Sequence, residues 1–249
     1  MKNVRVVITQ PMLFPWGGFF EQLMLADEYV YLDDVQFSKG SLTNRIQILA
    51  GSQRSWMTIP LLNKGSFQLI SELQEANESW KIDHKNLLYN ALKRQPFIND
   101  VMDIVGEAYK SDQLIDILIA SIESSAEYLG IGRNRRLSRS SDLAVSSSSS
   151  ERVLQLVKTV GGTAYVTGHG AANYLDHSLF ESTGISVEYM RYSCTPYPQS
   201  CTEFTPYVSI LDMIARNGPN AIEFLKPQTI PWKEFVLGRT SLLDAPKSR

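Results

Sequence analysis

The stretch VRVVITQPMLFPWGGFFEQLMLADEYVYLDD, residues 4–34, decides the fold class. It begins with VRVVI, Val4 to Ile8, a β-branched run interrupted only by Arg5, which is typical of a strand buried on both faces. Two prolines and two glycines break this run, and FFEQLMLADE then has helical spacing. YVYLDD follows as a second buried strand. A strand, a tight loop, a helix and a strand within about 30 residues predict a βαβ unit with parallel strands.

The rest of the chain continues the α/β pattern around a helical middle segment. NRIQILA and SWMTIPLL, split by GSQR, predict a β-hairpin with Arg45 near its start. Residues 80–109 have a helical pattern that breaks at Pro96, and an amphipathic helix follows and ends at Gly130. Strands and helices alternate again after that, and the prolines beyond residue 218 indicate an irregular wrap. The predicted fold class is α/β, with a mostly parallel, Rossmann-like sheet and a helical middle segment.

We expect three parts, which would together form either separate units or one single domain. Residues 1–110 form an N-terminal α/β part with the ligand cleft, and residues 146–249 form a C-terminal α/β part packed on it. Between them, residues 111–145 supply a helix and a basic, serine-rich connection. This connection is either a docking strip for a diphosphate or a solvated basic loop, the favoured alternative. Its arginines are Arg133, Arg135, Arg136 and Arg139.

The composition excludes several classes of protein. With 24 basic and 26 acidic residues, the chain lacks the clustered excess of cations that nucleic-acid binding needs. No apolar stretch approaches the roughly 20 residues of a transmembrane helix, and MKNVRVVITQP has too short an apolar core for a signal peptide. We therefore expect a cytoplasmic protein without membrane insertion. Three histidines without a CxxC or HExxH pattern predict no metal site, and Cys194 and Cys201 are expected to be free thiols, Cys194 a structural one.

Polar side chains crowd the end of the second strand, in VYLDDVQFSKGSLTNR, residues 30–45. Ligands of parallel sheets bind beyond the carboxyl ends of strands, which places Gln10 and the Asp33–Asp34 pair along one edge. Successive side chains of a strand point to opposite sides, so at most one aspartate faces the cleft with Gln10, and the other caps or braces the loop. Arg45 either pairs with one carboxylate and holds the hairpin to the sheet, or stays free as an anion clamp.

The stretch QPMLFPWGGFFEQLMLADEYVYLDDVQFSKGSLTNRIQI resembles the start of the WbqC-like family, whose members open with a QP–aromatic–PW/Y–G–F/Y stretch, reach a DDVQ–aromatic motif and continue to an NR pair. The likeness continues in order through WMTIPL, WKIDH, QPF, YPQ and SILDMIARNG, and covers most of residues 5–218. The resemblance implies a role in bacterial surface-polysaccharide assembly, notably of the O-antigen of lipopolysaccharide. For some members it also implies amide-forming acylation of amino sugars. His169 stands where the family more usually has a proline or a small residue, so the family gives it no role.

The candidate catalytic residues are His84, Asp33 and Asp34. In WKIDHKNLLYNALK, Trp80 and His84 are four residues apart and share a helix face. An indole beside an imidazole disfavours the charged form and leaves a neutral base near pH 7. Such a base would deprotonate a sugar amine before its attack on a thioester, with Asp33 or Asp34 orienting the imidazole or the amine. The alternative is that Trp80 anchors the core and His84 is a packed or solvated neighbour.

The predicted substrate-binding residues follow from the aromatic loop and the motifs after it. QPMLFPWGGFF lies where dinucleotide-binding folds carry their phosphate loop, but it is not GxGxxG, and it either sandwiches a base or sugar or plugs the helix against the sheet. These residues are Gln10, Trp16, Gln36, Asn44, Arg45 and Trp80.

The predicted function is that of an acyl- or aminoacyltransferase of surface-polysaccharide biosynthesis that acts on a nucleotide-linked amino sugar. The donor would be an acyl thioester of coenzyme A or of an acyl carrier protein. One alternative is a non-catalytic module that binds a nucleotide sugar or a glycan. The other is a nucleotidyltransferase, although the early HxGH-like motif of such folds is absent from the sequence.

Overall fold

A computed structural model describes residues 3–63, 65–132 and 134–243. Arg133 of the basic connection therefore lies outside the described residues. The strands are β1 (Arg5–Thr9), β2 (Glu28–Tyr31), β3 (Arg45–Ala50), β4 (Gln53–Thr58), β5 (Arg136–Arg139), β6 (Ala164–Thr167), β7 (Ser186–Met190) and β8 (Thr229–Pro231). The helices are α1 (Gly17–Met24), α2 (Trp80–Leu92), α3 (Ile98–Ala108), α4 (Leu114–Tyr128), α5 (Ser149–Thr159), α6 (His177–Ser182), α7 (Ile210–Asn217) and α8 (Trp232–Leu243).

Six of these strands form one sheet in the order β5-β2-β1-β6-β7-β8. The first five strands are parallel, and β8 pairs with β7 in the antiparallel direction. The chain starts at the centre, with β1, then extends the sheet on one side through β2 and β5 and on the other through β6 and β7. The predicted α/β class with a mostly parallel, Rossmann-like sheet is confirmed.

Two hydrophobic cores lie on opposite faces of this sheet, because successive residues of β1 point to opposite sides. Val7 belongs to the larger core, which also contains the apolar residues of α1 to α4 and α7. Val6 and Ile8 belong to the smaller core, together with residues of α5 and α6. Burial on both faces explains why the middle of β1, Val6 to Ile8, is a continuous run of apolar residues instead of an alternating one.

The helical middle segment and the hairpin stand where the sequence predicts them. Strands β3 and β4 pair in antiparallel fashion, with Arg45 opposite Thr58. Helices α2 and α3 are separated at Pro96, and α4 ends before Gly130, which has a φ of +69°. This left-handed conformation lets Ile131 return its backbone N–H to the Ala126 carbonyl at 2.8 Å, a typical helix ending.

The chain departs from the sequence-based expectation at two edges of the sheet. Arg136–Arg139, within the basic connection, forms β5 and pairs with β2. Residues 229–243 form β8 and α8, whereas the prolines predicted an irregular wrap, which is wrong. Pro231 fits this arrangement because it ends an edge strand and immediately precedes a helix, the two places where a missing N–H costs least.

Candidate functional site

A cleft opens where the winding of the sheet reverses, between the carboxyl ends of β1 and β6. Open α/β sheets bind their ligands at this position, because the connections from the two central strands diverge to opposite faces and leave a crevice. We call it the switch-point cleft. It has a volume of about 340 Å³ and is lined by Ile8, Thr9, Met12, Trp16, Phe19, Gln22, Thr167, Gly168, Gly170, Ala171, Tyr174 and Tyr192.

The walls of the switch-point cleft carry aromatic rings and hydroxyl groups. The rings of Trp16 and Tyr192 stand 4.9 Å apart and tilted, while Tyr174 is exposed. Burial and the nearby Glu21 and Cys194 raise the pKa of Tyr192 to about 12, so its hydroxyl is neutral and able to donate a hydrogen bond. None of the lining residues carries a charged side chain. Such a surface suits a ring-shaped, uncharged group.

The beginning of α1 is covered by the protein itself. In dinucleotide-binding folds the first helix after β1 presents its amino terminus to a diphosphate. In this chain the Trp16 ring folds over Gly18 so closely that a Cβ on Gly18 would stand 2.1 Å from it. A Cβ on Gly17 would meet the side chains of Leu225 and Met213, each at 3.2 Å. The usual seat for phosphate groups is therefore filled by side chains.

Asp33 and Asp34 both form ion pairs with arginines at the same edge of the sheet. The fully buried Asp33 accepts from Arg139 at 2.8 Å and from the Ser141 backbone N–H at 3.0 Å. Asp34 pairs with Arg152 of α5. Burial alone would raise the pKa of Asp33, but the hydrogen bonds from Arg139 and Ser141 outweigh it, and the pKa lies below its usual range. The pair therefore joins the end of β2 to β5 and α5.

The other polar residues predicted to bind substrate hold the hairpin. The Asn44 amide donates to the Ile59 carbonyl at 2.9 Å. The Arg45 guanidinium donates to the Gly40 carbonyl and lies 4.2 Å above the Trp56 ring, so it follows neither of the two alternatives expected for it. Gln36 is exposed in an extended segment that bridges to Leu69. Of the predicted set, the structure thus brings Trp16 into the lining of the cleft, whereas Gln10 follows the lining residue Thr9 in sequence and is not itself part of the lining.

His84 and Trp80 lie together in the helical layer. Their rings are 5.0 Å apart, and His84 Nδ1 is 3.1 Å from the hydroxyl of Tyr109. The imidazole also forms a hydrogen bond to the backbone of Thr58 and is 5% exposed. Within the described part of the chain, no hydrogen bond or ion pair joins His84 to Asp33 or Asp34. This arrangement matches core packing, and the role of His84 as a base stays a prediction.

Comparison with known proteins places the chain in a family. A model of the WbqC-like protein family matches residues 10–224. The chain belongs to the WbqC-like protein family. "Uncharacterized protein Rv1507c" of Mycobacterium tuberculosis (strain ATCC 25618 / H37Rv) is a relative with 29% identity over 227 residues, which cover 89% of this chain and 97% of the relative. No solved structure matches significantly. None of the helices in the described ranges has the length and apolar character that crossing a membrane requires.

The WbqC-like chain carries cleft residues that sequence analysis missed: Thr167, Gly168, Tyr174 and Tyr192. Thr167 and Gly168 come directly at the end of β6, which the sequence does indicate as a strand. Their position became informative only with the strand order, since β6 is the neighbour of β1. The TG pair after AYV was therefore the available signal, and its two residues stand to β6 as Thr9 and Gln10 stand to β1.

The buried imidazole of His84 makes a pH dependence of stability expected. Burial lowers the pKa of His84 in the folded protein, and it also lowers that of His177. Below the ordinary histidine pKa of about 6.5, the unfolded chain therefore binds more protons than the folded protein does. As a result, the free energy of unfolding falls as the pH drops from that value through the histidine pKa of the folded protein.

Urea unfolding at pH 7.0 and pH 5.5 measures this effect. We expect His84→Gln to reduce the loss of stability between the two pH values more than His177→Gln does, because His177 is less buried. An unchanged pH dependence in His84→Gln would contradict the buried neutral state of this ring.

Proposed function

We propose that this WbqC-like protein binds a nucleotide-linked amino sugar in the switch-point cleft, as a component of bacterial surface-polysaccharide biosynthesis of the O-antigen type. The observation that carries the proposal is the cleft, which lies at the ligand position of α/β sheets and has aromatic and hydroxyl-bearing walls. The chain is a member of the WbqC-like family, and resemblance to that family implies a role in polysaccharide assembly. This membership supports the proposed role in surface-polysaccharide biosynthesis.

The lining favours binding of the uncharged part of such a ligand. A sugar ring or a base has apolar faces that pack on tyrosine and tryptophan, and polar edges that pair with threonine and glutamine. A volume of about 340 Å³ accommodates one such ring with part of a second. Because Trp16 covers the start of α1, the phosphates of the ligand would point toward solvent.

The proposed reaction is transfer of an acyl or aminoacyl group from a thioester of coenzyme A or of an acyl carrier protein. The sugar nitrogen attacks the thioester carbonyl, the carbon–sulfur bond breaks and an amide forms. The proton that leaves the amine ends on the released thiol. The catalytic roles of His84, Asp33 and Asp34 remain part of this proposal, although the buried imidazole would have to open before a substrate could reach it.

A non-catalytic sugar-binding module is the second candidate, and one observation favours it. The lining residues of the cleft include no titratable acid or histidine to serve as a base, and both aspartates at the sheet edge are held in ion pairs. Such a module would bind the ligand tightly and leave it chemically unchanged.

Binding of UDP-N-acetylglucosamine tests the cleft. We expect Tyr174→Ala to weaken binding about tenfold in a calorimetric titration, because an exposed aromatic face that stacks on a ring contributes about 1–3 kcal/mol. Tyr89→Ala is the matched control, since Tyr89 is a similarly exposed tyrosine on α2. If both variants bind as the parent does, or if the parent does not bind, the proposed site is wrong.

Turnover distinguishes the enzyme from the module. UDP-glucosamine and acetyl-coenzyme A are incubated with the parent and with His84→Gln, and mass spectrometry follows acetylation of the sugar amine. An acetylated product that the variant does not form supports the transferase and the base together. Binding without product supports the module. Pyrophosphate release from a sugar phosphate and a nucleoside triphosphate with magnesium would instead indicate the nucleotidyltransferase.

A further inference from the structure

A second cavity lies beside the switch-point cleft. We call it the Tyr207 cavity; its volume is about 360 Å³, and its lining includes Ser52, Arg54, Thr202, Glu203, Thr205 and Tyr207. Trp16, which lines the cleft, has its ring centre 5.5 Å from that of Tyr207. One pair of aromatic rings therefore connects the two spaces.

The loop that forms most of the Tyr207 cavity is held in place before any ligand arrives. The Gln199 side chain accepts from the Thr205 N–H at 3.0 Å and donates to the Thr205 carbonyl at 2.9 Å. Arg216 of α7 donates to the Ser200 hydroxyl at 3.0 Å while it pairs with Asp212. Because these contacts fix both arms of the loop, binding there costs little conformational entropy.

Three polar groups of the Tyr207 cavity lack partners in the described part of the chain. Thr205 is 8% exposed, and its Oγ1 has no hydrogen-bond partner there. This oxygen is closed to solvent, so the polar groups open to a ligand are the side chains of Arg54 and Glu203. The exposed side chains of Arg54 and Glu203 take part in none of the ion pairs found among those residues.

We propose that the Tyr207 cavity is a second sugar subsite that binds an amino sugar. The exposed ring of Tyr207 would face the C–H side of the sugar ring, and the Glu203 carboxylate would accept from the ammonium group. Arg54 would donate to the ring hydroxyls. The proposal goes beyond the proposed function, since it concerns a different cavity and does not require nucleotide binding in the cleft.

Glucosamine and glucose are the probes, because they share a ring and differ in the ammonium group. Ligand-observed NMR titration of the full chain should give about tenfold tighter binding of glucosamine than of glucose, the value of a charge-assisted hydrogen bond. Glu203→Gln should remove this preference and leave glucose binding unchanged. Tyr207→Ala should weaken binding of both sugars about tenfold, with Tyr89→Ala as the control.

A second readout locates the sugar. Cys201 lines the Tyr207 cavity, whereas Cys194 does not. Glucosamine should therefore slow alkylation of Cys201, measured by mass spectrometry, and leave the rate at Cys194 unchanged. Equal binding of the two sugars, absence of protection at Cys201, or loss of glucosamine binding in Tyr174→Ala would each overturn the proposal. Glucosamine binding that persists while UDP-N-acetylglucosamine fails to bind would reject the function proposed for the cleft and leave the second subsite standing.

Discussion

We expect Asp33→Asn to lower the free energy of unfolding, measured by urea titration at pH 7, by about 3 kcal/mol. The carboxylate is fully buried and accepts hydrogen bonds from Arg139, Ser140 and Ser141. Asparagine keeps the shape but loses the charge, and one of its two terminal groups is a donor. The Arg139 guanidinium would then lose its buried anion, and the serine hydroxyls would meet an N–H group.

Asp116→Asn is the matched control for this prediction. Asp116 also contacts Arg139, at 3.5 Å, but its side chain is 49% exposed. Water replaces such a contact at little cost, so the control should change stability by less than about 1 kcal/mol. Equal losses in the two variants would show that burial does not strengthen the pair with Asp33.

The pH dependence of the parent gives the sign of the same effect. The pKa of Asp33 is lowered in the folded protein, so its contribution is present above the ordinary aspartate pKa and is lost as the pH falls through the folded pKa. The difference between the parent and Asp33→Asn should therefore shrink in acid, below about pH 4.

Gly18→Ala has the second large expected effect, a loss of about 2 kcal/mol in stability together with about tenfold weaker binding of UDP-N-acetylglucosamine. The new methyl group would stand 2.1 to 2.7 Å from three carbons of the Trp16 ring. The indole has to move, and its contacts with Tyr192 and Tyr207 change with it. The cleft loses its aromatic wall as a result.

Gly106→Ala is the control, with an effect of opposite sign. Gly106 lies within α3, and a Cβ built there meets no atom within 4 Å. Replacing a helical glycine by alanine without a clash stabilises a protein by about 0.4–1 kcal/mol. Thermal unfolding and calorimetry of both variants decide the matter. A stabilised Gly18→Ala with normal ligand binding would mean that the Trp16 ring does not need its position over the helix start.

The parts of the fold that sequence analysis predicted are those with strong local signals. The β-branched run of β1, the break at Pro96 and the ending at Gly130 each depend on residues within a few positions. Strand β5 has no such signal, because RLSR is a short, polar edge strand that forms only against β2. Likewise, Pro227 and Pro231 indicated irregular structure, so β8 and α8 were not predicted.

The site was predictable in position and less so in chemistry. The carboxyl edge of the sheet follows from the βαβ pattern, and Gln10, Trp16 and the two aspartates do lie along it. The arginines that form ion pairs with Asp33 and Asp34 lie 106 and 118 residues further along the chain, and no local sequence pattern indicates such pairing. The burial of His84 similarly depends on Tyr109, the residue that follows α3.

The position of β5 also bears on how the chain assembles. Glu28 pairs in register with Arg136, 108 residues further along, and β6 on the other side is more distant still. While the ribosome makes the hairpin and the helices between them, β1 and β2 are a two-stranded ribbon with both borders open, which is marginal in water. The helical layer is built from nearby residues and would form first. The sheet would then be completed only after the later half of the chain, with β5 and β6, has been synthesised.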